Sequence, residues 1–520
     1  MEIVKAAFTV GAFTLFSRFA GFIRELTITA CLGAGVYTDA FFLAAKLASV
    51  GRRIFAEGAF SASFLPRFSK VLARDGQDKS NIFFSDVFMF LSIVIGACTV
   101  VVVIFFPSVL SVLASGFDQL SYKFQLTVYL GRTCFPYLLL MSISSLFCGI
   151  LNAINKFALP AAVYSLLSIF VTVGILVGYL FRAEHETIAN IAAFCVIASG
   201  ITQAGILYWS LKKHGFRLKL RFNWLTPEVK DVMNNMVPGI IAAGVWQLNL
   251  LIDTTITSYL PTGSITYLNL ADRLNQFPLG TLGIALSTAL LPVLSTCMNK
   301  QDYDEANRQL SNGLSFAFFL TFFAVSILLA LNEASVAVAF QRGSFGEEQV
   351  KTTATALTGF VIGLPAYVLT KVFSVVYFSI GDTRTPVKFG IISVIVNIIF
   401  LIILVPFLKH FGVALCTSLS AFVNAILLIY FSRKKINIKF SNEFWKHTFV
   451  QVIASVLTYC LLVKLCETYW TSNMGQYSIK WIVYITMLSV ASCLFFIMNI
   501  VGLRLCNSSK WQLWEKSAWR

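Results

Sequence analysis

Basic residues interrupt long apolar stretches of this chain at Arg18, Arg24, Lys46, Arg52, Arg53, Arg132, Arg273, Lys371 and Lys464. Acids do the same at Glu25, Asp39, Glu57, Asp253 and Asp272. A guanidinium is a rigid fork of donors that meets phosphate oxygens two at a time, so arginine in an apolar setting suits a pyrophosphate better than lysine does. On a helix, Arg18 and Arg24 stand about 120° apart, and Gly21 between them leaves room at the backbone. In the following segment Asp39, Lys46, Arg53 and Glu57 fall within about 60° of one stripe, and Arg52 lies about 100° from Arg53. Arg53 and Glu57 are spaced to pair one turn apart. Lys46, Arg53, Arg132, Lys371 and Lys464 fit the plainer role of charges that snorkel or pair structurally. Arg18, Arg24, Arg52 and Arg273 together point to a bound anion, and Asp39 suits either role.

Other chemistry has less support. Asp302 and Asp304 form a DxD of the kind that holds a metal and a sugar nucleotide, but with Glu305 beside them they read as a solvated loop. His185, His214, His410 and His447 are too scattered for a metal site. The 11 cysteines stand mostly alone in apolar segments, without a CxxC, and so read as small core residues. No Walker A string is present, which excludes nucleotide hydrolysis by this chain. Asp253 and Asp382 offer oxygen donors for a cation such as sodium, and they form the candidate metal site.

The elements that carry these residues follow from composition. The chain has 520 residues, of which 57% are hydrophobic and 12% charged, and its mean hydropathy is +0.78. A soluble protein of that make-up would leave too much apolar surface in water, so its solvent is lipid. A cytosolic enzyme, a secreted disulfide scaffold and a disordered chain are excluded. Roughly fourteen segments reach the length of about 20 residues that a bilayer requires. They are Ala6–Ala30, Thr38–Pro66, Ile82–Phe106, Phe124–Leu151, Pro160–Phe181, Ile188–Leu211, Met236–Leu260, Ile265–Leu294, Gly313–Phe340, Thr352–Ile380, Pro386–Phe407, Val413–Phe431, Phe449–Cys466 and Trp481–Val501. The runs are long and do not alternate, so they predict helices and not a barrel. No small-residue cleavage site follows the first, which is therefore expected to be retained.

Of the 40 Lys and Arg residues, roughly 25 fall in the N-terminus, the even-numbered loops and the C-terminus, and about six in the odd-numbered loops. Both termini are thus expected in the cytoplasm. The net charge of +16 is a positive-inside signal and not a nucleic-acid footprint, and the basic loops can touch anionic membrane lipid. A shift of 226 residues places Ala59, Ser61, Leu65, Pro66 and Ser69 on Ala285, Ser287, Leu291, Pro292 and Ser295, and Pro160 on Pro386. The shift spans six helices, an even number, so the repeat is parallel. The predicted fold is an all-α integral membrane protein of about 14 transmembrane helices. It has two six-helix lobes, residues 1–222 and 223–435, around a central cavity, and two further helices in 436–520. The first lobe has a positive excess of about three within its spans, which predicts a hydrated cationic cavity.

The strings FSRFAGFIRE (Phe16–Glu25), TDAFFLAAKL (Thr38–Leu47), RRIFAEGAFSASFLP (Arg52–Pro66), ADRLNQFPLG (Ala271–Gly280) and GDTRTPVK (Gly381–Lys388) resemble the bacterial lipid II flippase family MurJ, also called MviN. That family belongs to the multidrug/oligosaccharidyl-lipid/polysaccharide exporter superfamily, and the resemblance covers every predicted span. It implies a transporter of the inner membrane and not an enzyme. The cargo would be lipid II, undecaprenyl-pyrophosphoryl-disaccharide-pentapeptide, moved to the periplasmic leaflet by alternating access for peptidoglycan synthesis. The last two helices would receive the lipid tail. The resemblance places substrate contacts at Arg18, Arg24, Arg52 and Arg273, with Asp39 nearby and Ser17 and Glu57 at matching motif positions. Gln276 stands where the family often has a carboxylate. The competing readings are a flippase for another polyprenyl-pyrophosphate oligosaccharide, a drug exporter, for which this cavity is too basic, and a membrane glycosyltransferase.

Overall fold

The computed structural model describes residues 2–53, 59–219, 225–436, 438, 440–470 and 477–505, and among them the regular elements are all helices. The chain divides into two compact units. The first is Met1–Thr266 with Arg342–Phe345. It holds α1 (Glu2–Leu32), α2 (Val36–Arg52), α3 (Ala59–Ile104), α4 (Phe106–Leu113), α5 (Tyr122–Cys134), α6 (Tyr137–Ala153), α7 (Ala158–Val163), α8 (Ser165–Leu180), α9 (His185–Lys213), α10 (Pro227–Ser258) and the first residues of α11 (Ser264–Asn299). The second holds the rest of α11, then α12 (Tyr303–Ala330), α13 (Asn332–Phe340), α14 (Glu347–Ile362), α15 (Leu364–Ser379), α16 (Arg384–Ile436), α17 (Asn442–Tyr469) and α18 (Tyr477–Leu505).

Over its described residues each apolar segment named above falls on helix, apart from short breaks. By length and composition, eight helices among the described residues can cross a membrane, and the pair α14 and α15, bent by 40°, would make a ninth span. The chain is a multi-pass membrane protein. Its lipid-facing surface shows in large exposed apolar side chains, such as Val173 and Leu180 on α8, Phe181 just after it, and Ile395, Ile402 and Phe407 along α16. With no water in the hydrocarbon, backbone amides must be satisfied within the helices, and the breaks have identifiable causes. Pro136, which has no N–H, separates α5 from α6. Gly76, with φ +76°, turns the chain within α3. Lys409, with φ +50°, does so within α16, so the expected loop between Phe407 and Val413 is a sharp kink.

In the first unit α1 packs on α8, α2 on α5, and α6 on both α3 and α9. Phe60, Phe64, Phe68 and Phe83 form an aromatic column, with successive ring centroids 5.2 and 5.3 Å apart along α3 and Phe83 5.8 Å from Phe64. Tyr137, at the start of α6, lies against α9 where Gly200 has no side chain, and a β-carbon there would sit 2.8 Å from the tyrosine ring. In the second unit α12 packs on α17, and α16 on α14 and α15. Gln451 of α17 donates to the Ser315 carbonyl at 3.0 Å, and Ser455 donates to that of Phe322 at 3.0 Å, joining α17 to α12 by buried polar contacts.

Candidate functional site

The candidate residues divide between the units: Ser17, Arg18, Arg24, Asp39, Arg52 and Asp253 belong to the first, Arg273 and Asp382 to the second. Glu57, and with it the expected Arg53–Glu57 pair, lies outside the described residues. On α1, Ser17 is half-buried and Arg18 exposed, two turns before the half-buried Arg24. Arg52, at the end of α2, is half-buried like Arg24, and the charges of both bear on the buried Tyr137 hydroxyl. Arg24 reaches the buried Glu25 at 3.3 Å. Arg24, Lys46, Arg52 and Arg53 all have interactions within the structure, so the positive surplus of this unit is a surplus of charge and not of bare groups. Two half-buried guanidinium groups in one unit are forks of donors suited to an oxyanion. Sequence periodicity gave no sign of Tyr137, which looks like one more aromatic residue in an apolar run.

Asp39 occupies a different setting. Its carboxylate is fully buried. One oxygen accepts the Thr266 N–H at 2.9 Å and the Thr266 hydroxyl at 2.7 Å. The other accepts the Gly263 N–H at 2.7 Å and meets the Lys123 ammonium at 2.8 Å. Lys123 Nζ in turn stands 4.5 Å over the Phe117 ring. The amides at the start of α11 have no helical partner of their own, so a carboxylate there satisfies donors and favours the helix dipole. Lys123 lies 84 residues from its partner, a pairing that chain order cannot suggest.

Several charges have structural duties. Arg132 donates to the carbonyls of Val103 and Ile104 at 3.0 and 3.2 Å, closing the end of α3. The DxD caps a helix, with Asp302 accepting the Glu305 N–H at 3.0 Å. Gln276 donates to Asp272 one turn away at 2.5 Å. Asp382 accepts the Arg384 and Thr385 amides at 3.2 and 3.0 Å and the Thr385 hydroxyl at 2.7 Å, capping α16. Asp382→Ala should therefore cost about 0.5–2 kcal/mol, and Asp382→Asn much less, measured by thermal unfolding. Among the described residues no group of three or more His, Cys, Asp or Glu side chains is gathered for a metal ion.

The fold carrying these residues is a membrane transporter fold. It is similar to a solved structure described as lipid II flippase MurJ, inward closed conformation, with TM-score 0.78, 23% identity, and 94% of this chain and 98% of that one covered. It is also similar to an inward-facing multidrug resistance MATE family transporter of the MOP superfamily, with TM-score 0.68, 12% identity, and 83% and 98% covered. The family model described as lipid II flippase MurJ matches residues 28–487. A probable lipid II flippase MurJ of Rhizobium meliloti (strain 1021) is 36% identical over 82% of this chain and 80% of its own length. The lipid II flippase MurJ of Burkholderia cenocepacia is 33% identical over 92% and 93%. The chain belongs to the lipid II flippase MurJ family, a family of transporters and not of enzymes.

Proposed function

We propose that this chain moves lipid II from the cytoplasmic to the periplasmic leaflet of the bacterial inner membrane by alternating access. The observation that carries the reading is the family match over residues 28–487, on a chain that keeps Arg24 and Arg52 half-buried in its first unit. In this reading Arg18, Arg24, Arg52 and Arg273 bind the headgroup pyrophosphate, with Ser17 and Glu57 as further substrate residues, while the polyprenyl tail stays in lipid. Neutralising those cations lowers the cost of removing them from water, and that favours closure around the bound headgroup. Asp39 holds the first unit together at the start of α11 and does not touch the cargo. About fourteen spans, lobes at residues 1–222 and 223–435, a tail groove in 436–520 and cytoplasmic termini complete the reading. Transport makes and breaks no bond in the cargo, and without a Walker A string in the sequence the energy falls to the membrane potential or a cation gradient. Sodium coupling would fall to Asp253, since Asp382 spends its oxygens on the α16 cap.

Depleting the chain in cells that depend on it, then adding an enzyme that cleaves lipid II from the periplasmic side, tests this. Lipid II should become protected as the chain disappears. Undiminished cleavage after full depletion would show that another protein carries the headgroup across.

A further inference from the structure

We infer that residues 212–219 form a built docking strip for the headgroups of anionic phospholipids, separate from the cargo arginines. The segment reads Lys-Lys-His-Gly-Phe-Arg-Leu-Lys and contains no acid. Three side chains on one stripe of α3, spaced four residues apart, hold its backbone in place. Gln77 donates to the His214 carbonyl at 2.8 Å, and Asn81 donates to that of Gly215 at 3.4 Å. Asn81 also accepts the Arg217 N–H at 3.3 Å, and Ser85 accepts the Lys219 N–H at 3.0 Å. Gly215 has φ +85°, and a β-carbon there would lie 2.5 Å from the Gln77 amide nitrogen, so the approach requires glycine.

Beyond Gly215, packed and exposed side chains alternate along the strip. Phe216 is buried with its ring 5.9 Å from Phe68, at the end of the aromatic column, and Leu218 packs against the same core. Arg217 and Lys219 are exposed, as are Lys212 and Lys213. The adjoining stretch of α3 adds exposed Lys70 and Arg74, while Lys79 is paired with Asp75 at 3.3 Å and Asp78 is the other acid there. One turn before the strip, Trp209 is 60% exposed, with Lys213 Nζ 3.5 Å from its ring centroid. Tryptophan in that setting marks the depth of lipid headgroups. A mobile basic loop loses conformational freedom on binding a phosphate, whereas this one is already pinned. On the positive-inside orientation the leaflet is the cytoplasmic one. The strip is independent of the cargo.

The test uses the full chain in phosphatidylcholine nanodiscs, titrated with fluorescent phosphatidylglycerol. Arg217→Gln with Lys219→Gln should weaken phosphatidylglycerol retention about tenfold or more, at unchanged thermal stability. Lys300→Gln with Arg308→Gln removes the same charge between the end of α11 and the first turns of α12, where Asp302, Asp304 and Glu305 offset it, and should change retention less than about twofold. Asn81→Ala with Ser85→Ala keeps every charge but frees the strip, and should also weaken retention. Equal losses in the two charge variants, or none in the first, overturn the strip as a site. Displacement of the lipid by millimolar inorganic phosphate would assign a free anion instead and equally overturn it.

Discussion

Cells depending on this chain should die when Arg24 or Arg52 is replaced by alanine, although the protein still reaches the membrane. Each substitution removes a half-buried fork of charged donors. A hydrogen bond to a charged group is worth about 1.5–3 kcal/mol, so pyrophosphate affinity should fall about 10- to 150-fold for each bond lost. Arg18→Ala and Arg273→Ala should fail in the same way. Arginine-to-lysine variants keep the charge but lose the planar fork, and they should rescue growth only in part. Growth rescue scored beside membrane abundance separates lost function from lost protein. Full rescue by all the alanine variants would end the assignment of these arginines to the headgroup.

Asp39→Ala should act through stability. The substitution leaves the Lys123 ammonium, two backbone amides and a hydroxyl without their acceptor in a buried setting. Breaking a buried ion pair by removing one partner costs about 3–5 kcal/mol, much of it from the charge left behind. Thermal unfolding of the purified chain should show a markedly lower midpoint. Adding Lys123→Met to Asp39→Ala should recover part of the loss, because the stranded charge is then gone. An Asp39→Ala chain as stable as the parent but unable to support growth would return Asp39 to the cargo site.

Asp39 and Arg132 show how far chain order reaches. Either carried a plausible structural reading from its position in an apolar run. For Arg132 that role, closing the end of α3, needed only partners about one helix away. For Asp39 the deciding partners are Lys123 and, at the start of α11, Gly263 and Thr266, two places far from it along the chain. Lys123 also fell one residue outside the segment beginning at Phe124, where a count of charges inside spans does not look. The DxD already read as a solvated loop from Glu305 beside it, and the Asp302–Glu305 contact makes it the cap of α12.

Residue order alone was enough for whatever depends on transfer from water to lipid. The helical membrane class, the apolar segments and the arginines at odds with their surroundings all follow from side-chain types a few residues apart, since the cost of burying a charge or an amide is local. Tertiary structure decided which polar groups share a place: Asp39 with Lys123 at the start of α11, and residues 214–219 pinned along α3. Those pairings depend on packing between distant helices, and a hydrogen bond or ion pair exists only once that packing has brought donor and acceptor within about 3 Å.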